Sequence, residues 1–393
     1  MLYSYSHPPP PRLAFPRGSP RSGPHDMSES HDAGLAGFSL PGPEALEPEP
    51  VSRVRGGLHR MLQGPSVQQH PALLAWNRLQ ATPAQLSTVE VWREFPGHHP
   101  ASIYLLEFAS GGPCPVFAKR CEAASGQVER FCYEQVVPRS ALSSPAYFGS
   151  TAEPDGTSWL FLEDVGREKL SAGDPTHRAL ASRWIGRLHR FGAGIDAARQ
   201  LPEAGPPRYL QHLRDARMRI GDHFGNPGLT ASEREHLAET QALLDQVEAR
   251  WDAIVRGCAG LPETVVHGDF RPKNVRIRTG AGGPTLYALD WELAGWGIPV
   301  VDLAPGRGAA GILQIDPGIY ADELRGHGPS LDGEAIERLS LIGFMLRRLA
   351  AIDWESLSLH FQDPRYLSDP TASIQVAHQE LARGLARAES WLR

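Results

Sequence analysis

The sequence predicts an α+β fold of two lobes, a small one built on an antiparallel sheet and a larger, mainly helical one that carries a β-hairpin. Three observations point there. Between residues 87 and 162, short runs rich in β-branched and aromatic residues alternate with Pro and Gly turns, as in a meander. Beyond Gly166 the apolar residues recur at i, i+3 and i+4, the period of helices with one buried face. A single β interruption over residues 275–289 breaks that helical half. The 393 residues are 41% hydrophobic, enough to bury a large core. They carry 39 Lys and Arg against 45 Asp and Glu, a formal charge of −6, which leaves no basic excess to follow a nucleic-acid backbone. No apolar run is long enough to span a membrane and no secretory leader is visible, so the cytoplasm is the expected compartment. Cys114, Cys121, Cys132 and Cys258 show no CxxC or zinc spacing and read as free thiols.

Taken in order, residues 1–65 are rich in Pro, Ser, Gly and His with few regularly spaced apolar positions, the composition of a disordered tail. Residues 66–165 read as the small lobe and 166–393 as the large one. Pro71 suits the first turn of a helix, with Leu74, Trp76 and Leu79 as its apolar positions and Pro83 as its stop. Residues 87–95 (STVEVWREF), 101–108 (ASIYLLEF) and 115–119 (PVFAK) read as three strands. Ser125 is placed to cap a helix whose stripe is Val128, Phe131, Cys132 and Val136, and Pro138 follows its end. Residues 146–150 and 158–162 pair across a turn at Glu153-Pro154-Asp155-Gly156. The helical half follows, with stripes at Leu180, Trp184 and Leu188, at Ile336, Leu339, Ile342, Leu346 and Leu349, and at Leu237, Leu244, Val247, Trp251 and Ile254. The last of these stripes opens on the capping box Thr230-x-x-Glu233. The hairpin pairs Val275 and Ile277 with residues 286–289 (LYAL) across a Gly-rich turn.

The chemistry concentrates in residues 265–274 (VVHGDFRPKN) and 289–292 (LDWE). One apolar strand end delivers His267, Asp269 and Asn274, and a second delivers Asp290. Two carboxylates and an amide on adjacent elements can converge. Oxygen donors of that kind suit Mg²⁺, which keeps water and substrate phosphates among its ligands. One acid can then hold the metal while the other accepts or positions a hydroxyl proton. Lys119 ends the strand PVFAK in a chain whose other lysines are only Lys169 and Lys273, so a compact ammonium is demanded there. Gly306 to Gly311 fits G-x-G-x-x-G literally, but Pro305 precedes it and Pro317 follows, so it is not read as a dinucleotide site.

The order His-x-Asp-x-x-x-x-Asn, then Asp after an apolar strand, resembles the catalytic loop and metal-binding Asp of the protein kinase-like fold. HGD with DWE is similar to the aminoglycoside phosphotransferase and choline kinase branch, over about residues 85–350. The resemblance implies a bilobal protein kinase-like fold and transfer of the γ-phosphoryl group of ATP to the hydroxyl of a small molecule. It assigns Asp269 as the catalytic aspartate, Arg271 as support for the γ-phosphate, and Asn274 and Asp290 as Mg²⁺ ligands. His267 becomes a loop-stabilising histidine and Asp302 a structural acid. It also places Lys119 on the nucleotide phosphates with a Glu of the next helix as partner, Glu129 before Glu134. Residues 160–165 (LFLEDV) stand where the interlobe hinge meets adenine, which brings Glu163 and Val165 into the nucleotide site. The phosphate-covering loop departs from the family: residues 95–102 (FPGHHPAS) hold one glycine, Gly97, and Ser102 as the only candidate phosphate contacts.

Only a short stretch separates Asp290 from Asp302, which removes the segment that protein kinases use to dock a peptide and favours a small acceptor. Eight acidic residues against four arginines between Asp316 and Glu355 suggest a cationic acceptor, an amino sugar or amino alcohol. Two alternatives stand beside this reading: a Ser/Thr kinase acting on a peptide in natural-product maturation, and an inactive nucleotide-binding pseudokinase. No membrane or nucleic-acid partner is implied.

Overall fold

A computed structural model describes residues 60–93, 102–109, 114–259, 261–304, 315–327 and 331–392. Gly97, the 306–311 glycine motif and residues 1–59 of the expected tail lie outside them. The small lobe is one antiparallel sheet of β1 (Arg60–Gln63), β2 (Leu86–Arg93), β3 (Ser102–Phe108), β4 (Val116–Glu122), β5 (Tyr147–Ala152) and β6 (Thr157–Glu163), in the order β1-β2-β3-β4-β6-β5. Helix α1 (Pro71–Asn77) opens with Pro71 in its first turn and packs on the sheet face opposite the large lobe. There Trp76 meets the rings of Phe108, Phe148 and Phe161 at centroid distances of 5.3, 5.7 and 5.3 Å. Helix α2 (Ala123–Phe131) lies on the other face and continues through a π turn, Cys132–Val136. Its Val128, Cys132 and Tyr133 join the core of the large lobe.

Three local expectations are corrected. Residues 60–63 lie in the stretch read as tail, yet form edge strand β1 against Thr88 to Val91 of β2. Pairing with a formed neighbour decides this, because the four residues are too few and too polar to announce a strand. Ser125 does not cap α2. The chain turns straight out of β4 into the helix, and the Ala123 N–H is satisfied by the Gly156 carbonyl at 2.9 Å instead of by a capping side chain. The apolar stripe from Leu237 to Ile254 belongs to two helices, α5 (Ala231–Glu248) and α6 (Trp251–Gly257), broken at Ala249-Arg250. Periodicity at three and four passes through such a break because both helices bury the same side.

The large lobe adds α3 (Pro175–Gly192) and α4 (Pro206–Asp222) before α5, whose Thr230–Glu233 capping box forms with both hydrogen bonds present. After α6 come β7 (Thr264–Val266), the hairpin β8 (Val275–Gly280) and β9 (Gly283–Ala288), and β10 (Gly295–Gly297), which returns to pair with β7. Helices α7 (Pro317–Leu324), α8 (Gly333–Ser356) and α9 (Pro364–Ala388) complete it. Trp184, Leu188, Leu213, Trp291 and Leu346 lie in one buried cluster, so the short strands between β7 and β10 rest on helices that cannot shift independently.

Candidate active site

The loop after β7 is shaped by its backbone. Gly268 has φ of +80°, and a Cβ there would overlap the Leu293 carbonyl, so only glycine lets the chain turn here. Asp302, 1% exposed, accepts from the His267 and Gly268 amides at 2.7 and 2.9 Å and contacts His189 Nε2 at 3.3 Å. Burial works against its charge, but these partners prevail and hold it below the ordinary carboxylate range. His267 is fully buried and stacks on Trp291 at 4.5 Å, with its Nδ1 3.4 Å from the Asp269 amide. Burial pulls the imidazole below its ordinary value. This histidine braces the loop.

Asp269 is held in place by its own loop. Its carboxylate pairs with Arg271 and, at 2.9 Å, with Lys273, and accepts from Asn274 Nδ2 at 2.8 Å. The second N–H of Asn274 reaches the Asp269 carbonyl at 3.1 Å, which leaves the amide oxygen as its outward donor atom. The Leu289 amide donates to the Asn274 carbonyl at 2.8 Å, tying this loop to the strand that ends in Asp290.

Asp290 sits at φ of +67°, left-handed for a non-glycine residue, a strain that persists only where the surroundings impose it. Lys119 crosses from the small lobe to meet it. The Lys119 Nζ pairs with Asp290, with Glu129 at 3.0 Å and with Glu292 at 3.1 Å. Burial opposes the ammonium, but the three carboxylates hold it firmly charged. Burial would likewise raise Asp290, yet Lys119 and Lys273 keep it below the carboxylate range. Glu129, 1% exposed, is raised by burial against the pull of Lys119. Glu134 pairs instead with Arg130 at 2.9 Å on the outer face of the helix, so Glu129 is the Lys119 partner by geometry.

The description "phosphotransferase enzyme family" belongs to a family model that matches residues 92–340. The chain belongs to this family. It is a phosphotransferase with an alcohol group as acceptor. The bilobal protein kinase-like fold is shared with a solved structure. A GDP complex of an aminoglycoside 2'-phosphotransferase is 13% identical with a TM-score of 0.51, over 79% of this chain and 95% of that one. A choline kinase from Cryptosporidium parvum Iowa II is 11% identical with a TM-score of 0.49, over 77% and 93%. The sequence has no match among curated proteins.

In this phosphotransferase the fold brings Lys119, Glu129, Asp269, Arg271, Asn274 and Asp290 to one cleft, with the first two on the small lobe and the rest on the large. Ser102 is not among them. Register pairs Ile103 with Lys119 and Ser102 with Arg120, so Ser102 shares the face of Arg120 and Trp159, away from the cleft. Glu163 turns its side chain to Arg278 of β8 at 2.7 Å and to the Ala146 amide at 3.0 Å, tying the lobes together. Val165 is buried beside it.

Several of the eight acidic residues between Asp316 and Glu355 have structural partners. Asp316 and Asp332 cap α7 and α8, Glu323 lies 3.7 Å from both Arg187 and Arg190, and Asp353 pairs with His212 and Arg219. Glu292, two residues after Asp290 in DWE, joins the cleft through Lys119 although the motif spacing does not mark it. Phe117 is a second such residue. It lies two positions before Lys119 on the same strand face and meets Trp92 edge-on at 4.7 Å.

Proposed function

We propose that the protein transfers the γ-phosphoryl group of ATP or GTP to a hydroxyl of a small molecule, with Asp269 orienting that hydroxyl. The observation that carries this reading is the Lys119–Asp290 pair closing the cleft directly beside the Asp269–Asn274 pair. Lys119, steadied by Glu129, is the point charge for the phosphates nearer the nucleoside, and Arg271 stands beside Asp269 for the transferred group. The backbone of Glu163 and Val165 would meet the base, and Phe117 offers it an aromatic surface.

The donor set fits Mg²⁺. Asn274 presents one amide oxygen and Asp290 an ionised carboxylate, while among the described residues no group of three or more His, Cys, Asp or Glu could hold a metal alone. Few protein oxygens with places left for phosphate is the usual Mg²⁺ arrangement. Bound there, the ion supplies neutralisation of charge on the phosphates. Asp269 has its carboxylate between Arg271, Lys273 and the Asn274 amide N–H, beside the metal pair, where it can take the acceptor proton or aim the hydroxyl. Between Asp290 and Asp302 the chain makes only two short 3-10 turns around β10, with no segment long enough to dock a peptide.

The test is consumption of ATP and of GTP over aminoglycosides, amino alcohols, sugars, nucleosides and Ser/Thr peptides, with the Asp269→Asn variant in parallel. Transfer should be abolished in the variant while nucleotide affinity stays within a few-fold. Comparable turnover in both proteins would overturn the role of Asp269, and turnover on peptides alone would overturn the small acceptor.

A further inference from the structure

Arg347 lies in α8, one turn beyond Gly343, and is 7% exposed. At Gly343 the helix rests directly on the turn that carries Asp302, since a Cβ there would overlap the Val300 carbonyl. One turn later the Arg347 Nη2 donates to the carbonyl of Phe270, the residue after Asp269, at 3.3 Å. Its Nε and Nη1 are sealed from solvent and have no hydrogen-bond partner among the described residues. A buried guanidinium with idle donors costs stability, and an apolar side chain of similar size would pack there without that cost. Packing therefore does not account for it. Charge and reach do. The carboxylates of Asp269 and Asp302 lie in its field together with Arg271 and Tyr209, and although burial and Arg271 lower the guanidinium to about 10, it remains a cation at neutral pH.

The backbone contacts show what this cation does. Asp302 holds the amides of His267 and Gly268 on one side of Asp269, and Arg347 holds the Phe270 carbonyl on the other. We infer that Arg347 is a positioning residue for phosphoryl transfer, which clamps the loop immediately after Asp269 and sets a fixed positive charge behind its carboxylate. The inference rests on the reading of Asp269 as the group that faces the acceptor.

The test compares wild type with Arg347→Met and Arg347→Lys in hydrolysis of Mg-ATP and Mg-GTP, with water as acceptor, and follows amide exchange in peptides covering residues 266–275. Arg347→Met should lower kcat about ten- to hundred-fold, the effect of a slightly misplaced reacting group, with the nucleotide KM within about two-fold and Tm not lowered. Arg347→Lys, which retains the charge and a donor, should recover most of the loss. Exchange over 266–275 should quicken in Arg347→Met while α8 stays protected. An unchanged kcat, a raised KM with kcat intact, or a shared loss of kcat and Tm that Lys does not rescue would each overturn the inference. Absence of hydrolysis in the wild type would count against the proposed function instead. The exchange measurement would then still decide, since unchanged protection in Arg347→Met overturns the clamp.

Discussion

At the scale of single residues, Lys119 shows how far composition can carry an argument. A chain with three lysines has one of them at the point where three carboxylates converge, and the ammonium there is 12% exposed. A guanidinium is planar and larger, and cannot meet Glu129, Asp290 and Glu292 from one nitrogen. Lys119→Arg should therefore lose kcat/KM for the nucleotide nearly as completely as Lys119→Met. Glu129→Gln should show a smaller loss, and combining it with Lys119→Met should add little, because the two act as one unit. Additive losses in that double mutant would show that the 3.0 Å contact is not functional. Lys119, Asp269, Asn274 and Asp290 were legible because a rare residue type or a fixed spacing marked each. The misplacement of Ser102 has a simple cause: strand side chains alternate, so an error of one position in register changes the face, and no sequence feature fixed the register of β3 against β4.

At the scale of elements, the loop from Val266 to Asn274 is held by contacts that come from four separate parts of the chain. Gly268 makes the turn possible, so Gly268→Ala should cost about 2–3 kcal/mol through backbone strain and collision with Leu293, and should depress activity beyond its effect on stability. Thermal melts of the variant beside kcat measurements check both parts; a variant as stable and active as wild type would show that the turn tolerates a side chain. His267 adds a pH term whose sign is fixed by its burial. Its folded pKa lies below the ordinary histidine value of about 6.5, so it contributes stability that is complete above that pH and is lost as pH falls toward the folded value. His267→Phe, which keeps a ring against Trp291, should flatten the fall of Tm between about pH 6.5 and 5 relative to wild type. Identical slopes would mean that His267 does not take up the proton. The hairpin and the Thr230 cap were legible because both are local signals. The start of α2 and the break before α6 were not, because a long-range hydrogen bond to Gly156 sets the first and helix packing the second.

At the scale of the whole molecule, connections of different kinds join the cleft, among them the Lys119 pairs with Asp290 and Glu292, the Glu163–Arg278 pair, and α2, whose buried side chains belong to the core of the large lobe. The bilobal fold was readable from strand-like runs followed by helical periods, but the ion pairs across the cleft were not, since each joins positions more than a hundred residues apart for which sequence spacing carries no information. A nucleotide bound between Lys119 and the Asn274–Asp290 pair would add a further tie that only the folded state offers. Ligand at about 100 times its Kd stabilises by about 2.7 kcal/mol, which in a chain of this size corresponds to a rise in Tm of roughly 5 °C. That rise should need Mg²⁺ in the wild type, because Asn274 and Asp290 would hold the ion and its charge would offset that of the phosphates. Asp290→Ala should remove the metal dependence: whatever shift ATP or GTP still produces should be the same with and without Mg²⁺. Melting curves of both proteins with nucleotide, with Mg²⁺ and with the two together decide the matter. A metal-dependent shift that survives in Asp290→Ala would make this residue a strained end of β9 that supports the loop without holding the ion, and would leave Asn274 and Glu292 as the oxygens to examine next.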